Sequence, residues 1–240
     1  MSVHYGGRYT SVSQITGPSG FYTIWIDNEP MSVYVNQEYS GGGWVCVLAN
    51  RINTGGMNNL SLYDAVHTCN YRTGGSSQGA NTIVTRSKLS GLSNYNIWIG
   101  TKFWPLLGYR LDPSNITVVQ FVATTAGTEL NGSHTKRYRW KFSGWNPTYG
   151  FTGATAVSDE TGSGAPGMYN YHAANAFSLT TYDVDRDGNG GNCATYYNNN
   201  PWWYGSCWSG NYFGGNGYQD GPYWDSSGGD YHNYGAVYIK

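Results

Sequence analysis

From residue 183 to residue 235 the chain shows almost no hydrophobic periodicity, and Gly, Asn, Asp, Tyr and Trp dominate it. Neither an amphipathic helix nor an alternating strand fits such a pattern. Composition alone would suit disorder. Yet the stretch carries Trp202, Trp203, Cys193 and Cys207, residue types that pack or cross-link. A loop region this long inside a compact domain needs a functional reason and something to hold it.

The chain has 240 residues, enough for one large domain with a substantial core or for two small ones. It is 17% aromatic, which opposes disorder, and only 11% charged with a net charge of -1. Non-specific nucleic-acid binding needs a strong basic field and is excluded on that ground. The 35 glycines suit tight irregular loops. The 23 tyrosines fit two readings equally, a binding surface and a β-rich core with its rims. No run is long and apolar enough to span a membrane. Met1-Ser2-Val3-His4-Tyr5 lacks the basic and apolar parts of a secretory signal, so either export is not classical or a leader has been removed. Four cysteines without a CxxC neither carry the fold nor resemble zinc ligation.

Residues 1–16 read as a lead-in and 17–240 as a single domain. Within 17–52, Phe21–Ile26, Ser32–Val35 and Trp44–Leu48 are β-branched and aromatic runs bounded by Gly, Pro and Asn. They predict a three-stranded meander, with its first turn around Asn28, Glu29 and Pro30. Residues 53–148 read as a central sheet region; its first part, 53–110, is mixed, and there Leu60 to Cys69 fits a short helix with Leu62, Ala65 and Val66 on one face. Asn115–Ala123 and Tyr138–Phe142 read as further strands. From Tyr149 onward, 149–240 reads as a loop-rich lobe.

Asp183, Asp185 and Asp187 alternate over five positions. Unpaired, they would repel one another. A hard cation with oxygen ligands removes that cost, and Ca²⁺ accepts carboxylates and main-chain carbonyls in a flexible shell. An EF-hand shares the opening Asp183-x-Asp185-x-Asp187-Gly188, but its twelfth position, which requires a bidentate Glu, is Ala194. The competing reading is a solvated acidic turn.

Here a resemblance becomes specific. Asp183-Val184-Asp185-Arg186-Asp187, Gly191-Asn192-Cys193-Ala194 and Trp202-Trp203-Tyr204-Gly205-Ser206-Cys207 resemble the C-terminal signature of fibrinogen-related domains, among them fibrinogen globular domains, ficolins and tachylectins. Phe177-Ser178-x-Thr180 resembles the strand that precedes it. Ser19-Gly20-Phe21-Tyr22-Thr23-Ile24, Val33-Tyr34 and Gly41-Gly42-Gly43-Trp44 resemble the family's opening. The match is good over 17–52 and 171–220 and weak over 53–170. It implies an α+β fold, with a twisted antiparallel sheet, few short helices and a loop-rich C-terminal calcium lobe.

Carried over by position, the resemblance implies calcium carboxylates from Asp185 and Asp187 and main-chain carbonyls from Asn189 and Gly191. Asp183 becomes a neighbour of the site. It implies a disulfide between Cys193 and Cys207, whose loop of about fifteen residues gives roughly 3 kcal/mol of chain-entropy stabilisation. It implies a ligand pocket beside the calcium, walled by Tyr197, Ser206, Cys207, Trp208 and Tyr218, with Tyr223, Trp224 and Tyr231 as weaker candidates. A cis Ser206–Cys207 peptide would shape that pocket, at a cost of about 3 kcal/mol. Trp202 and Trp203 are expected to pack under the loops. Departures from the family pattern are plain. Val35 stands where the family has a cysteine, and Trp208 stands where a histidine is common. Cys46 and Cys69 either pair with each other or stay reduced.

Catalysis has little support, because no GxSxG, phosphate loop or HExxH is present and the five histidines are scattered. Asp220, Asp225 and Asp230 lie near aromatic loops, where a glycosidase would place carboxylates, but surface Asp is the plainer reading. Asn115-Ile116-Thr117 and Asn131-Gly132-Ser133 are glycosylation sequons. The expected function is calcium-dependent, lectin-like recognition of a surface glycan or acetylated group. The setting is extracellular or a virion surface, as in a phage or viral fibre, with the chain a homo-oligomer or part of a larger particle. The alternatives are a secreted lectin and a structural assembly protein.

Overall fold

A computed structural model describes residues 5–51, 59–73, 95–107, 116–123, 130, 136–146, 150–161, 179–204, 207 and 232–240. Among them ten strands form one sheet: β1 (Tyr5–Tyr9), β2 (Gly20–Ile26), β3 (Glu29–Asn36), β4 (Trp44–Arg51), β5 (Cys69–Thr73), β6 (Tyr95–Ile99), β7 (Ile116–Ala123), β8 (Lys136–Asn146), β9 (Gly150–Thr161) and β10 (Tyr234–Ile239). The main order is β1-β2-β3-β4-β10-β7-β8-β9, with β6 pairing β4 and β5. Every described pair is antiparallel except β1 with β2. Three short helices accompany the sheet: α1 (Leu62–His67), α2 (Trp104–Leu107) and α3 (Cys193–Tyr196). None of the described helices is long and apolar enough to cross a membrane.

The predicted meander is β2, β3 and β4, but its first turn is tighter than expected. Asp27 and Asn28 alone make it, both with positive φ (51° and 64°), as a two-residue hairpin loop requires. Glu29 and Pro30 belong to β3, where Pro30 stands opposite Trp25. That pair is the second from the turn, so the missing N–H of Pro30 points away from β2. On that side β4 pairs only with Tyr34 to Asn36, and no ladder bond is lost. The Gly run before Trp44 is also forced. Gly42 has φ of 71°, and a Cβ there would collide with Gln37. Residues 1–16, read as a lead-in, supply β1 and the buried Val12 and Ile15.

Helix α1 lies within the predicted span, with Ala65 and Val66 buried. Ser61 is its N-cap and accepts from the Asp64 N–H at 3.1 Å. Cys69 falls outside the helix and opens β5. The expected strands after Asn115 and at Tyr138–Phe142 are β7 and the longer β8. The loop-rich reading after Tyr149 needs correction at both ends, because β9 pairs along β8 and β10 lies in the middle of the sheet.

All six β10 residues are buried between β4 and β7. Beside this region Trp98, Trp104 and Trp203 form a closed aromatic cluster, with ring centroids 6.0, 5.9 and 5.6 Å apart. Trp202 joins it at 5.5 Å from Trp203. Both lobe tryptophans are 1% exposed, as expected of residues that pack under the loops. Removing so large a buried ring leaves a cavity the neighbours cannot fill. Trp203→Ala should therefore cost about 3–5 kcal/mol, read as a lower denaturation midpoint at unchanged slope.

Candidate functional site

The described part of the lobe, 179–204, is pinned to the core first. Thr180 and Trp202 exchange main-chain hydrogen bonds at 2.9 and 3.1 Å, which seats Trp203 in its cluster. Thr181 and Val184 close the next turn with bonds of 3.0 and 3.2 Å. Asp183 at its tip accepts from the Thr181 hydroxyl at 2.7 Å and from the Leu62 N–H at 2.9 Å. It thus fastens the lobe to the first turn of α1, 121 residues away in the chain.

Beyond this turn the chain wraps around carboxylates. Asp185 accepts from the Asp187 N–H at 3.3 Å. Asp187 accepts from Asn189 N–H through one oxygen and from Cys193 N–H through the other, both at 2.9 Å. Such side-chain to main-chain bonds are the usual means by which Asp shapes a turn. Asn192 then caps α3, accepting from the Thr195 N–H at 3.1 Å and donating to the Thr181 carbonyl at 2.9 Å.

Cys193 and Cys207 are disulfide-bonded, and Cys207 has φ of 70°, a backbone state uncommon outside Gly. Cys46 and Cys69 are free thiols, which decides between their two readings. Cys46 sits in β4 and Cys69 in β5, and β6 lies between those strands.

Burial pushes the Asp187 carboxyl above its ordinary value, and the neighbouring Asp185 adds to this. The two N–H bonds offset part of the effect. A half-buried carboxylate beside a second acid is relieved by a cation. Asp187, Cys193 and Cys207 also place ligand-type atoms within 4.8 Å of one another, but a disulfide offers no thiolate, so that trio is no soft-metal site. The oxygen donors of Asp185, Asp187 and the loop carbonyls suit a hard cation.

A groove of about 450 Å³ adjoins the loop, lined by Asn189, Gly191, Asn192, Thr195, Tyr196 and Cys207. Of the expected pocket walls, Cys207 lines it. Tyr197 is half-buried and stacks on Tyr204, with ring centroids 5.7 Å apart. Ser206, Trp208, Tyr218, Tyr223, Trp224 and Tyr231 lie outside the described residues, and so does the Ser206–Cys207 peptide. Asn192, Thr195 and the 78% exposed Tyr196 were not foreseen. The cap signal, Asn192 three residues before Thr195, could have placed all three on one short helix.

This arrangement, an irregular acidic lobe closed by one disulfide on a largely antiparallel sheet, is that of a fibrinogen-like globe. The family model described as "Fibrinogen beta and gamma chains, C-terminal globular domain" matches residues 115–236. The chain belongs to that family. Among solved structures it is similar to the fibrinogen-like globe domain of human ANGPTL6, with 21% identity and a TM-score of 0.61, over 98% of this chain and 96% of that one. It is likewise similar to the corresponding domain of human ANGPTL2, with 19% identity and a TM-score of 0.60, over 95% of each chain. Comparison with curated protein sequences gives no match.

The disulfide is directly testable. Under denaturing, non-reducing conditions a thiol reagent should label Cys46 and Cys69 and spare Cys193 and Cys207. Labelling of all four in protein matured under oxidising conditions would contradict the pairing.

Proposed function

We propose that the lobe is a calcium-dependent recognition site for carbohydrate or acetylated surface groups. One observation carries this reading: Asn189 and Gly191, assigned as calcium ligands by position, also line the groove. Whatever fixes their carbonyls fixes a groove wall. Asp185 and Asp187 would hold the ion by their carboxylates, with the Asn189 and Gly191 carbonyls completing the protein's share. Bound calcium would neutralise the paired acids and lock the loop.

The chain's own groups supply the recognition. Tyr196 offers an exposed ring face to the apolar side of a sugar, and Thr195 and Asn192 add polar groups beside it. Tyr197, Ser206, Trp208 and Tyr218 extend the proposed contact surface by resemblance. Loops already held by disulfide and core lose less entropy on binding, so a shallow site suffices. Single sites of this kind bind weakly, which favours display as a homo-oligomer or on a larger particle. The disulfide suits an oxidising setting, outside a cell or on a virion surface such as a fibre tip. No chemical step is assigned, because the fold family commonly serves in binding. The Tyr63–His67 ring stack, with centroids 4.4 Å apart and Tyr63 68% exposed, favours a second reading, a structural assembly protein that uses this face for subunit contact.

A glycan array and whole-cell binding with a multimerised protein test the first reading. Chelation should abolish the signal, and Tyr196→Ala should weaken it about tenfold, near 1.4 kcal/mol. Trp208→Ala should lower it as well. Absence of binding to every N-acetylated glycan and cell type tried would refute the reading.

A further inference from the structure

The acidic loop contains Asn189-Gly190, held in an arrangement with chemistry of its own. The Asn189 side chain folds forward, and its Nδ2 donates to the Gly191 carbonyl at 3.3 Å and to the Cys207 Sγ at 3.0 Å. That forward reach turns the carboxamide toward the Gly190–Gly191 side of the residue, the side from which the next nitrogen would attack. The Gly190 N–H donates no hydrogen bond among the described residues. Both residues are exposed, and a Cβ built at Gly190 would meet nothing within 4 Å. Among the described residues, neither a ladder bond, nor a side chain, nor burial shields that nitrogen.

We propose that Asn189 is a deamidation site. The Gly190 nitrogen gives its proton to solvent base and attacks the Asn189 Cγ. The new N–Cγ bond forms, the Cγ–Nδ2 bond breaks, and Nδ2 takes a proton and leaves as ammonia. Water opens the resulting imide at either carbonyl. One opening gives aspartate; the other gives isoaspartate, in which the main chain runs through the former side-chain carbonyl.

Aspartate puts a carboxylate where an amide had donated to Cys207 and Gly191, in a groove wall. Isoaspartate lengthens the main chain by one carbon and turns the Asn189 main-chain carbonyl, an assigned ligand, into a free carboxylate. The change is a slow, one-way switch on the lobe. The site assignment stands on loop geometry alone. Its suppression by calcium rests on the reading above, since fixed Asn189 and Gly191 carbonyls would stop the peptide from turning into attack.

The test ages the full, disulfide-intact chain at mildly alkaline pH with calcium chloride or with chelator. Peptide mapping by mass spectrometry and isoaspartyl methylation then follow residue 189. The acid and isoaspartyl forms should accumulate several-fold faster in chelator. Gly190→Ala, for which the structure leaves room, and Asn189→Gln, whose ring would be one atom larger, should both suppress them. Conversion that is equal with and without calcium would uphold the site and count against calcium's hold on the loop. If residue 189 stays an amide in chelator while the Asn-Gly pairs at 131 and 216 convert, the proposal is overturned.

Discussion

Everything else in the molecule hangs on the insertion of β10. β2–β4 and β7–β9 are local meanders, and among the described residues they share a sheet only because Tyr234–Ile239 pairs with β4 on one side and β7 on the other. This is the least local pairing in the fold, and its loop-closure entropy must be met before its contacts form. The complete burial of β10 is what offsets that cost. The lobe lies between β9 and β10 in the chain, so both its ends are anchored in one sheet.

Fixed ends alone would leave the lobe free to rearrange. The remaining order comes from a sequence of ties, each made by a different chemistry. The Thr180–Trp202 bridge sets Trp203 among Trp98 and Trp104. Trp98 in turn donates to the Ala65 carbonyl in α1 at 3.0 Å, and Asp183 reaches the opposite end of the same helix. The Asp187 carboxylate and the disulfide then hold the segment around Cys193 from two sides. A site braced this way approaches its ligand already ordered, which is where weak surface sites gain most. The same bracing keeps Asp187 partly out of water, and that burial pushes its carboxyl pKa up, so the bare charge is disfavoured in the ordered loop.

Strands with dense β-branched and aromatic residues between clear turn signals were legible, which is why β2, β3, β4 and β7 stood out. β9 reads Gly-Phe-Thr-Gly-Ala-Thr-Ala-Val-Ser-Asp-Glu-Thr, whose small residues carry no clear alternation; among the described strands it pairs with β8 alone, at one end of the sheet order. β10 failed for the opposite reason. A strand buried throughout has no polar face to reveal a period of two. The acidic loop and its cysteines were legible as a pattern, since their spacing is local. The grip of Asp183 on α1 was not, because its partner lies far away in sequence. Nor can periodicity decide which of Tyr196 and Tyr197 faces solvent at the end of a four-residue helix. The family model likewise matches the later half of the chain, although the structural likeness extends over nearly all of it.

The central claim is that a hard cation completes the lobe. Calorimetric calcium titration, paired with a thermal melt of metal-stripped protein, tests it most directly. A ligand bound only by the folded state stabilises it in proportion to the logarithm of one plus the ratio of free ligand to Kd, so the melting temperature climbs with free calcium. The account predicts saturable binding at one site per chain and a rise in Tm on adding calcium, with both absent in Asp187→Asn. A melting curve indifferent to calcium, with no binding heat in the wild type, would contradict it.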